Sequence, residues 1–511
     1  MKSDWSQKKI ERKVLKNKRV FENYLELIKT ETDILKKLTI AKTAAKFAVS
    51  ESTGYFRSSV LENTFTDYAK LHDLKSYDIQ YIPNSFLHVM TQAYNTGGHT
   101  RVVERWITHS PSSQKHSIVL LNQNDVPYPS EYFEEITGSR NGLCIQYNEE
   151  LTDLERALSL RQLGMEYEFI VLHIHMDDPT ALIAFGTEKF TRPVIFFNHA
   201  DHLFWLGVSI ADKVADLRTI TSISKQRRGI INPYMLGVPS DSTYTHPEEK
   251  HNISDLAIPE GKKVILTSGS PHKYSMFFNQ SLSEILIELT QMRSDVFCLV
   301  IGPSRDEKQW KDAWKKSSGN VNAIGYVDYN KGYLNYISRA DLVIDSWPMG
   351  GGTSLIDALS LSKPVLSLKS PLGQFDYLLQ SLSYCTDKSE LITKTLRVLD
   401  DEKFAKAVVD DCYQHFCRDH SIDAWVEKVN YLVALTPKEH KVKILDERDD
   451  INIIDELCLL NCSLYSGSKT KKYLTSLLQL LSSLTGMSDR QIIQYIKIHF
   501  NWVYRSVVKI I

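Results

Sequence analysis

The pattern of apolar and polar positions divides the chain into two helical ends and two regions in which strands and helices alternate. Residues 1–80 are rich in Lys, Glu and Leu and lack glycine loops, which predicts a helical extension. In residues 84–240 and 263–435, short apolar runs alternate with helical segments. This alternation is typical of doubly wound parallel sheets, which bind ligands at the carboxyl ends of their strands. Residues 436–511 predict a second helical extension, whose last helix has one apolar stripe.

Short runs of β-branched and aromatic residues mark the predicted strands. In the first region these are Phe86–Met90, His116–Leu121, Phe169–His173, Pro193–Phe197 and Thr219–Ile223. In the second they are Val264–Ser268, Val296–Ile301, Asn322–Val327, Leu342–Ile344 and Pro364–Leu368. Residues 237–262 contain prolines and charges but few paired hydrophobic residues, so they predict a linker between two α/β domains.

The most informative stretch for function runs from Asp341 to Asp376. A buried strand ends at Asp345, and a loop with three consecutive glycines, Gly350, Gly351 and Gly352, comes before the next helix. A helix N-terminus offers free backbone N–H groups and a positive dipole end, and glycines let a phosphate approach them. The stretch therefore predicts a phosphate-binding loop, although the same pattern also occurs as a plain turn in α/β proteins.

The helix after this loop supplies further candidate residues. Thr353 or Ser354 is predicted to cap its N-terminus, and Asp357, about one turn later, is placed to bind ribose hydroxyls. A second glycine junction, Gly269–Ser270, opens the second region and is followed by Lys273. A lysine in this place can neutralise a leaving nucleoside diphosphate, and the alternative is a solvated surface lysine.

These residues resemble the nucleotide-sugar site of GT-B glycosyltransferases, above all that of the protein O-GlcNAc transferases and bacterial cytoplasmic N-glycosyltransferases. The family motif runs Asp, Pro, Gly, Thr-Thr and a ribose-binding Asp. The matching residues here are Asp345, Pro348, Gly351, Thr353, Ser354 and Asp357, with Pro348 displaced by one position. Retaining GT-B enzymes have two glutamates eight positions apart, and Met349 stands where the first would be. The likeness covers residues 84–435 and is strongest at 264–376.

The resemblance implies two Rossmann-like domains that face a cleft, a nucleotide-sugar donor linked to UDP or GDP, and no metal cofactor. It also implies that Lys273 contacts the pyrophosphate and that the loop with Gly97 and Gly98 faces the donor phosphates. Tyr326 or Val327 is expected to contact the nucleotide base, with packing as the alternative. The acceptor is expected to be a glycan or a protein.

Polar residues gather where the strands of the first region end. His99 directly follows the glycine pair and is the candidate general base, with helix capping or phosphate contact as alternatives. His175, His199 and Asp201 follow two other strands and are expected to line the cleft, with the last two as reserve bases. Histidines and carboxylates so spaced also fit metal ligands, which we consider the weaker interpretation.

Composition limits the partners and the cellular compartment expected for this protein. A net charge of −1 argues against a nucleic-acid partner, and 42% hydrophobic residues suffice for packed cores. Seven cysteines without a CxxC pair favour reduced thiols and a cytoplasmic setting. The helical ends and the basic N-terminus suit a bacterial glycan-assembly enzyme beside a membrane, and equally a protein-modifying enzyme that docks a partner. The basic N-terminal helix and the last helix are expected to pack on the protein or a partner, or to contact the inner face of the membrane.

Three functions remain open from the sequence. The first is a metal-independent glycosyltransferase that builds glycans or modifies proteins. The second is a nucleotide-sugar epimerase of the same architecture, which would form product from the donor alone. The third is a non-catalytic scaffold that binds nucleotide sugar, against which Lys273 and His99 both argue.

Overall fold

The computed structural model describes residues 7–72, 79–95, 98–218, 221–240, 258–277, 279–328, 332–370, 378, 381–445 and 459. These residues form two compact units. The first takes those up to Asp216, from 221 to 234 and from Leu432 onward, and the second takes Leu217, Arg218 and those within Met235–Tyr431.

The first sheet and its helices occupy the chain up to Met235. In chain order the elements are α1 Gln7–Thr30, α2 Ile34–Ser50, α3 Ser59–Leu71, β1 Ile82–Met90, α4 Gly98–His109, β2 Lys115–Leu120, α5 Ser130–Gly138, β3 Cys144–Gln146, α6 Asp153–Gly164, β4 Tyr167–His173, α7 Thr180–Phe185, β5 Val194–Asn198, β6 Lys213–Asp216, α8 Thr221–Arg228 and β7 Tyr234–Met235. The strands lie in the order β3-β2-β1-β4-β5-β6-β7, and the pairs from β3 to β6 are parallel.

The second sheet has six strands. Its elements are β8 Lys263–Ser268, a 3₁₀ turn Pro271–Tyr274, α9 Leu282–Met292, β9 Val296–Ile301, α10 Lys308–Lys316, β10 Val321–Ala323, α11 Tyr333–Arg339, β11 Leu342–Ile344, α12 Thr353–Ser360, β12 Val365–Leu368, β13 Tyr384–Cys385, α13 Lys388–Asp400, α14 Glu402–Asp419 and α15 Ile422–Leu435. The order is β10-β9-β8-β11-β12-β13, with every pair parallel.

Both sheets have the doubly wound strand order, in which the direction of winding reverses beside the first strand. The reversal falls between β1 and β4 in the first sheet and between β8 and β11 in the second. In the first sheet, Met90 of β1 pairs with both Leu120 of β2 and His173 of β4, so three strands end level at this edge. Open α/β sheets bind ligands in the crevice at such a switch point.

The three N-terminal helices belong to the core of the first unit. Their buried residues, such as Phe21, Leu25 and Phe65, pack in one hydrophobic cluster with Leu87 of β1 and Ile170 of β4. The N-terminus of α2 is fixed by Asp33, whose carboxylate accepts the backbone N–H groups of the second and third helical residues.

Two sequence predictions about strands need correction. The predicted strand Thr219–Ile223 is wrong, because the strand is Lys213–Asp216 and a helix begins at Thr221. The prediction gave more weight to the β-branched residues of this segment than to the polar run SKQRR, residues 224–228, which continues the helix. The strand predicted at Asn322–Val327 is shorter, Val321–Ala323, and ends before Gly325, which has φ +82°.

Several predictions fall on residues outside those described. They concern Gly97, residues 241–257 of the predicted linker, and all of the C-terminal extension except 436–445 and 459. Among the helices that are described, none is both long enough and apolar enough to cross a membrane.

A buried carboxylate joins the N-terminal helices to the rest of the first unit. Glu62 of α3 is fully buried, and its side chain accepts the backbone N–H groups of Gly207, Val208 and Ser209 at 2.7, 3.1 and 3.1 Å. The Ser209 hydroxyl donates a fourth hydrogen bond. Burial raises the pKa of Glu62, and these four donors oppose that rise.

We expect Glu62→Ala to lower the free energy of unfolding by about 3–5 kcal/mol, because three buried N–H groups would lose their acceptor. Urea unfolding followed by circular dichroism measures the change. The matched control is Asp67→Ala on the same helix, where the carboxylate is exposed and, among the described residues, pairs only with Lys70. The control should cost less than about 0.5 kcal/mol, and equal losses in both variants would contradict the assignment.

Candidate active site

The buried carboxylate of Asp345 shapes the glycine loop at the switch point of the second sheet. Asp345 directly follows β11, and its Oδ1 accepts the backbone N–H groups of Ser346 at 2.8 Å and Gly351 at 2.7 Å. A Cβ atom at Gly350 or Gly351 would lie within 2.9 Å of the same carboxylate. The loop therefore needs glycine here so that its backbone can approach Asp345.

Lys273 completes this arrangement from the neighbouring strand. It lies in the 3₁₀ turn after β8, and its ammonium donates to the carbonyl oxygen of Gly350 at 3.1 Å. Desolvation lowers the pKa of Lys273 to about 8, and the Asp345 charge opposes this shift. A side chain at Gly269 would press on the Lys273 stem, since its Cβ would lie 3.2 Å from Cδ. Gly269, Lys273, Gly350 and Gly351 thus come together around Asp345.

A positive charge that the sequence analysis missed acts on the same group. Arg218 is mostly buried in the second unit, and its charge lowers the pKa of both Lys273 and Asp345. Burial is the main influence on Asp345 and raises the pKa of its carboxyl group. No local pattern marks Arg218, because it precedes Lys273 by more than 50 positions in a segment without glycine. The charges of Lys273 and Arg218 therefore both act on the Asp345 carboxyl group and lower its pKa.

The N-terminus of α12 carries no side-chain cap. Gly352 occupies the N-cap position without a capping bond, so the prediction that Thr353 or Ser354 caps this helix is wrong. The Ser354 hydroxyl instead donates to the carbonyl oxygen of Ser268 at 3.3 Å, which ties the loop to the end of β8. Among the described residues, no side chain caps the backbone N–H groups at this helix N-terminus, where an anion would meet the helix dipole.

The other predicted donor-site residues of this unit lie in different surroundings. Asp357 is buried in α12 and accepts a hydrogen bond from the Ser240 hydroxyl at 3.2 Å. Ser270 is exposed at the start of the 3₁₀ turn. Tyr326 is 63% exposed and Val327 half-buried in the loop after β10. Their roles with ribose, phosphate and base stay predictions.

In the first unit, three half-buried histidines gather at the carboxyl edge of the sheet. His99, the second residue of α4, donates its Nε2–H to the carbonyl oxygen of His173 at 2.9 Å. Since that oxygen can only accept, neutral His99 carries its lone pair on Nδ1. The His99 and His199 rings lie 4.3 Å apart, and Nε2 of His175 bonds the Tyr94 hydroxyl at 2.9 Å.

Burial keeps the imidazoles of His99 and His199 neutral. It lowers the pKa of His99 to about 4, with a further lowering from His175 and a small opposing effect of the bond to the His173 carbonyl. Burial also lowers the pKa of His199, to well below the ordinary value. A neutral imidazole with a free lone pair is the form that a general base requires. Gly98 begins α4 directly before His99.

Behind this edge, three fully buried histidines form a chain across neighbouring strands. Nε2 of His116 lies 3.2 Å from Oε1 of Gln114, Nδ1 of His116 lies 3.0 Å from Nε2 of His88, and Nδ1 of His88 lies 3.1 Å from Nε2 of His173. With the Gln114 oxygen as acceptor, every neutral ring must carry its proton on Nε2. Nδ1 of His173 is then a buried acceptor that has no hydrogen-bond partner in the described part of the chain.

Asp201 stands apart from this group. It is buried, its backbone carbonyl accepts from Arg228, and its carboxylate lies 3.4 Å from Nδ1 of His202. Its charge also raises the pKa of the buried Arg228, against the larger effect of desolvation. Asp201 therefore stabilises the buried guanidinium group of Arg228 through its backbone carbonyl and its charge. Within the part of the chain that the structure describes, no three His, Cys, Asp or Glu side chains are arranged to hold a metal ion.

The histidine chain makes stability depend on pH. Burial lowers the pKa of His116 to about 3 and puts the pKa values of His88 and His173 well below the ordinary value. The unfolded chain binds protons below about pH 6.5 while the folded chain does not, so stability falls as the pH drops from there toward about 4. Each histidine contributes up to about 1.4 kcal/mol per pH unit.

We expect the free energy of unfolding of His116→Gln to depend less steeply on pH than that of the wild type, by about 1 kcal/mol per unit. Glutamine keeps a donor and an acceptor but does not titrate. Urea midpoints at several pH values between about 4 and 7 measure both slopes. Parallel slopes would mean that His116 binds as many protons in the folded protein as in the unfolded chain, and would contradict its buried neutral state.

Comparison with known proteins bears on the fold. No protein-family model matches the sequence, and no curated protein sequence does. A glycosyltransferase from Rickettsia africae matches 69% of this chain and 98% of its own, with 11% identity and a TM-score of 0.52. Anabaena HepE in complex with UDP-glucose matches 68% of this chain and 100% of its own, with 13% identity and a TM-score of 0.51. At such identities the likeness concerns architecture, and the predicted α/β fold is confirmed: the chain has a fold of the GT-B glycosyltransferase type.

Proposed function

We propose that this protein is a metal-independent glycosyltransferase that moves a sugar from a nucleoside diphosphate to a glycan or protein acceptor. The observation that carries the proposal is the group at the switch point of the second sheet, where Lys273 and the glycine loop meet at Asp345. An ammonium, a glycine-rich backbone and an uncapped helix N-terminus are three features that bind a diphosphate.

The chemistry follows from where charge develops. When the bond between the anomeric carbon and the diphosphate breaks, its electron pair leaves on a phosphate oxygen. Lys273 and the N-terminus of α12 stabilise that negative charge without a metal ion. Arg218 adds the charge of a second cation, which acts on both Lys273 and Asp345.

His99 is the candidate base for an inverting transfer. The acceptor hydroxyl gives its proton to Nδ1 of His99 as its oxygen forms the bond to the anomeric carbon. The bond from His99 to the His173 carbonyl holds the ring in the tautomer that leaves Nδ1 unprotonated. Because the pKa of His99 is about 4, the base remains available at neutral pH.

The identity of the donor base is taken from the fold neighbours as a starting point. The Anabaena protein HepE binds UDP and UDP-glucose. We therefore propose a uridine donor first, with guanosine as the competitor to be tested beside it.

We expect UDP or its sugar to raise the melting temperature of the wild type by several degrees when its concentration exceeds Kd by about 100-fold. Lys273→Met should abolish most of this shift, because the ammonium is lost while the stem remains. Differential scanning fluorimetry with UDP, GDP and their sugars, with and without EDTA, measures it. Lys311→Met on α10, an exposed lysine, is the matched control and should retain the shift.

Two results would contradict the donor site. One is a shift that Lys273→Met retains in full, and the other is the absence of a shift with every nucleotide. A shift that EDTA removes would contradict metal independence while leaving the site in place.

We expect His99→Ala to lower kcat by about 10²- to 10⁴-fold and to leave the UDP-induced melting shift unchanged. Release of UDP in the presence of acceptor measures kcat. His109→Ala, at the other end of α4, is the matched control and should remain within about twofold of the wild type. Unchanged turnover in His99→Ala would exclude the base role, and product formed without acceptor would favour the epimerase.

A further inference from the structure

A basic stripe lies on the exposed side of α1. The stripe consists of Lys8, Arg12, Lys16 and Arg19, all exposed. At 100° per residue these four positions fall within an arc of about 80°, in a line about 16 Å long. None of the four has a hydrogen-bond or ion-pair partner among the residues that the structure describes.

The opposite face of α1 explains why this stripe must point outward. Ile10, Val14 and Phe21 are completely or almost completely buried, and Phe21 belongs to the core cluster of the first unit. Buried apolar residues on one side fix the rotation of the helix, so the charged side cannot turn inward. The stripe is therefore a permanent feature of the surface of this unit.

The charge of the stripe is local. From Gln7 to Arg19 the helix has seven basic residues and a single acidic one, whereas the whole chain has a net charge of −1. Basic residues of the same helix outside the stripe have carboxylate partners, as in the Lys13–Glu51 and Lys18–Glu22 pairs. Four unpaired cations in line complement an extended anionic surface better than one small anion.

An exposed leucine indicates which kind of anionic surface the stripe fits, a lipid bilayer or a nucleic acid. Leu15 is 45% exposed and lies at the edge of the stripe, one turn from Arg12 and Arg19 and two turns from Lys8. Leu27, 47% exposed, lies further along the same helix. An apolar side chain among cations gains free energy by entering the boundary between headgroups and acyl chains, whereas it gains little against a phosphodiester backbone.

We propose that the basic stripe with Leu15 docks this protein on the surface of a bilayer that contains anionic phospholipid. Lys8, Arg12, Lys16 and Arg19 contact the headgroup phosphates, and Leu15 enters the interface between them. The proposal is independent of the donor site, because every residue that carries it lies on α1.

The test compares two charge-reversed variants of the full chain. One carries Lys8→Glu, Arg12→Glu and Lys16→Glu, and the control carries Lys308→Glu, Lys311→Glu and Lys315→Glu on α10, whose lysines are also exposed. Both variants change the net charge equally. Melting temperatures close to that of the wild type show that both still fold, as expected for exposed positions.

Binding is measured by flotation with phosphatidylcholine vesicles that contain about one third phosphatidylglycerol. The wild type should bind these vesicles, and should neither bind pure phosphatidylcholine nor bind at about 0.5 M salt. The stripe variant should bind at least about 100-fold more weakly, since each lost basic residue costs about fivefold, and the control should stay within about threefold. Leu15→Ala should weaken binding by a smaller factor.

Three results would overturn the proposal. They are wild-type binding that is absent or equal on neutral vesicles, equal loss in the two variants, and tighter binding to a DNA duplex than to the anionic vesicles. The last result would assign the stripe to nucleic acid.

Discussion

The candidate donor site depends on the placement of one carboxylate away from water. Asp345 holds the glycine loop through the N–H groups of Ser346 and Gly351 and faces the ammonium of Lys273. A buried carboxylate is stable only with donors and an opposite charge around it, and this site has both. The loop, the lysine and the glycines are therefore one structural unit, in which each part requires the others.

The two sheets share a topology but differ in the chemistry at their switch points. In the second unit, Lys273 and Arg218 put positive charge beside the loop. In the first unit, desolvation keeps His99 and His199 neutral at the corresponding edge. Positive charge stabilises an anionic leaving group, and a neutral imidazole can accept a proton. The two units thus provide different chemical environments at the same place in one topology.

The sequence predicted the parts of the structure that local patterns control. Buried apolar runs marked β4, β8 and β9, and glycine loops marked the neighbourhood of Lys273. It could not predict Arg218, which approaches the site only through the tertiary fold. Nor could it predict that His88, His116 and His173 meet, because residues on different strands become neighbours only when the order and register of the sheet are known. For the same reason the sequence could not predict that the Ser354 hydroxyl donates to the carbonyl oxygen of Ser268 instead of capping its own helix, because Ser268 lies at the end of a strand distant in sequence.

The buried histidine chain imposes a constraint that reaches the candidate base. The three rings lie in line across the neighbouring strands β2, β1 and β4. The hydrogen bond from Nε2 of His173 to His88 holds the His173 ring in place. The carbonyl oxygen of that same residue accepts the proton of His99 and so determines the tautomer of His99. A change in His88 that moved His173 would move this oxygen with it. The position of the lone pair on His99, the candidate base, is therefore determined by residues that are fully buried.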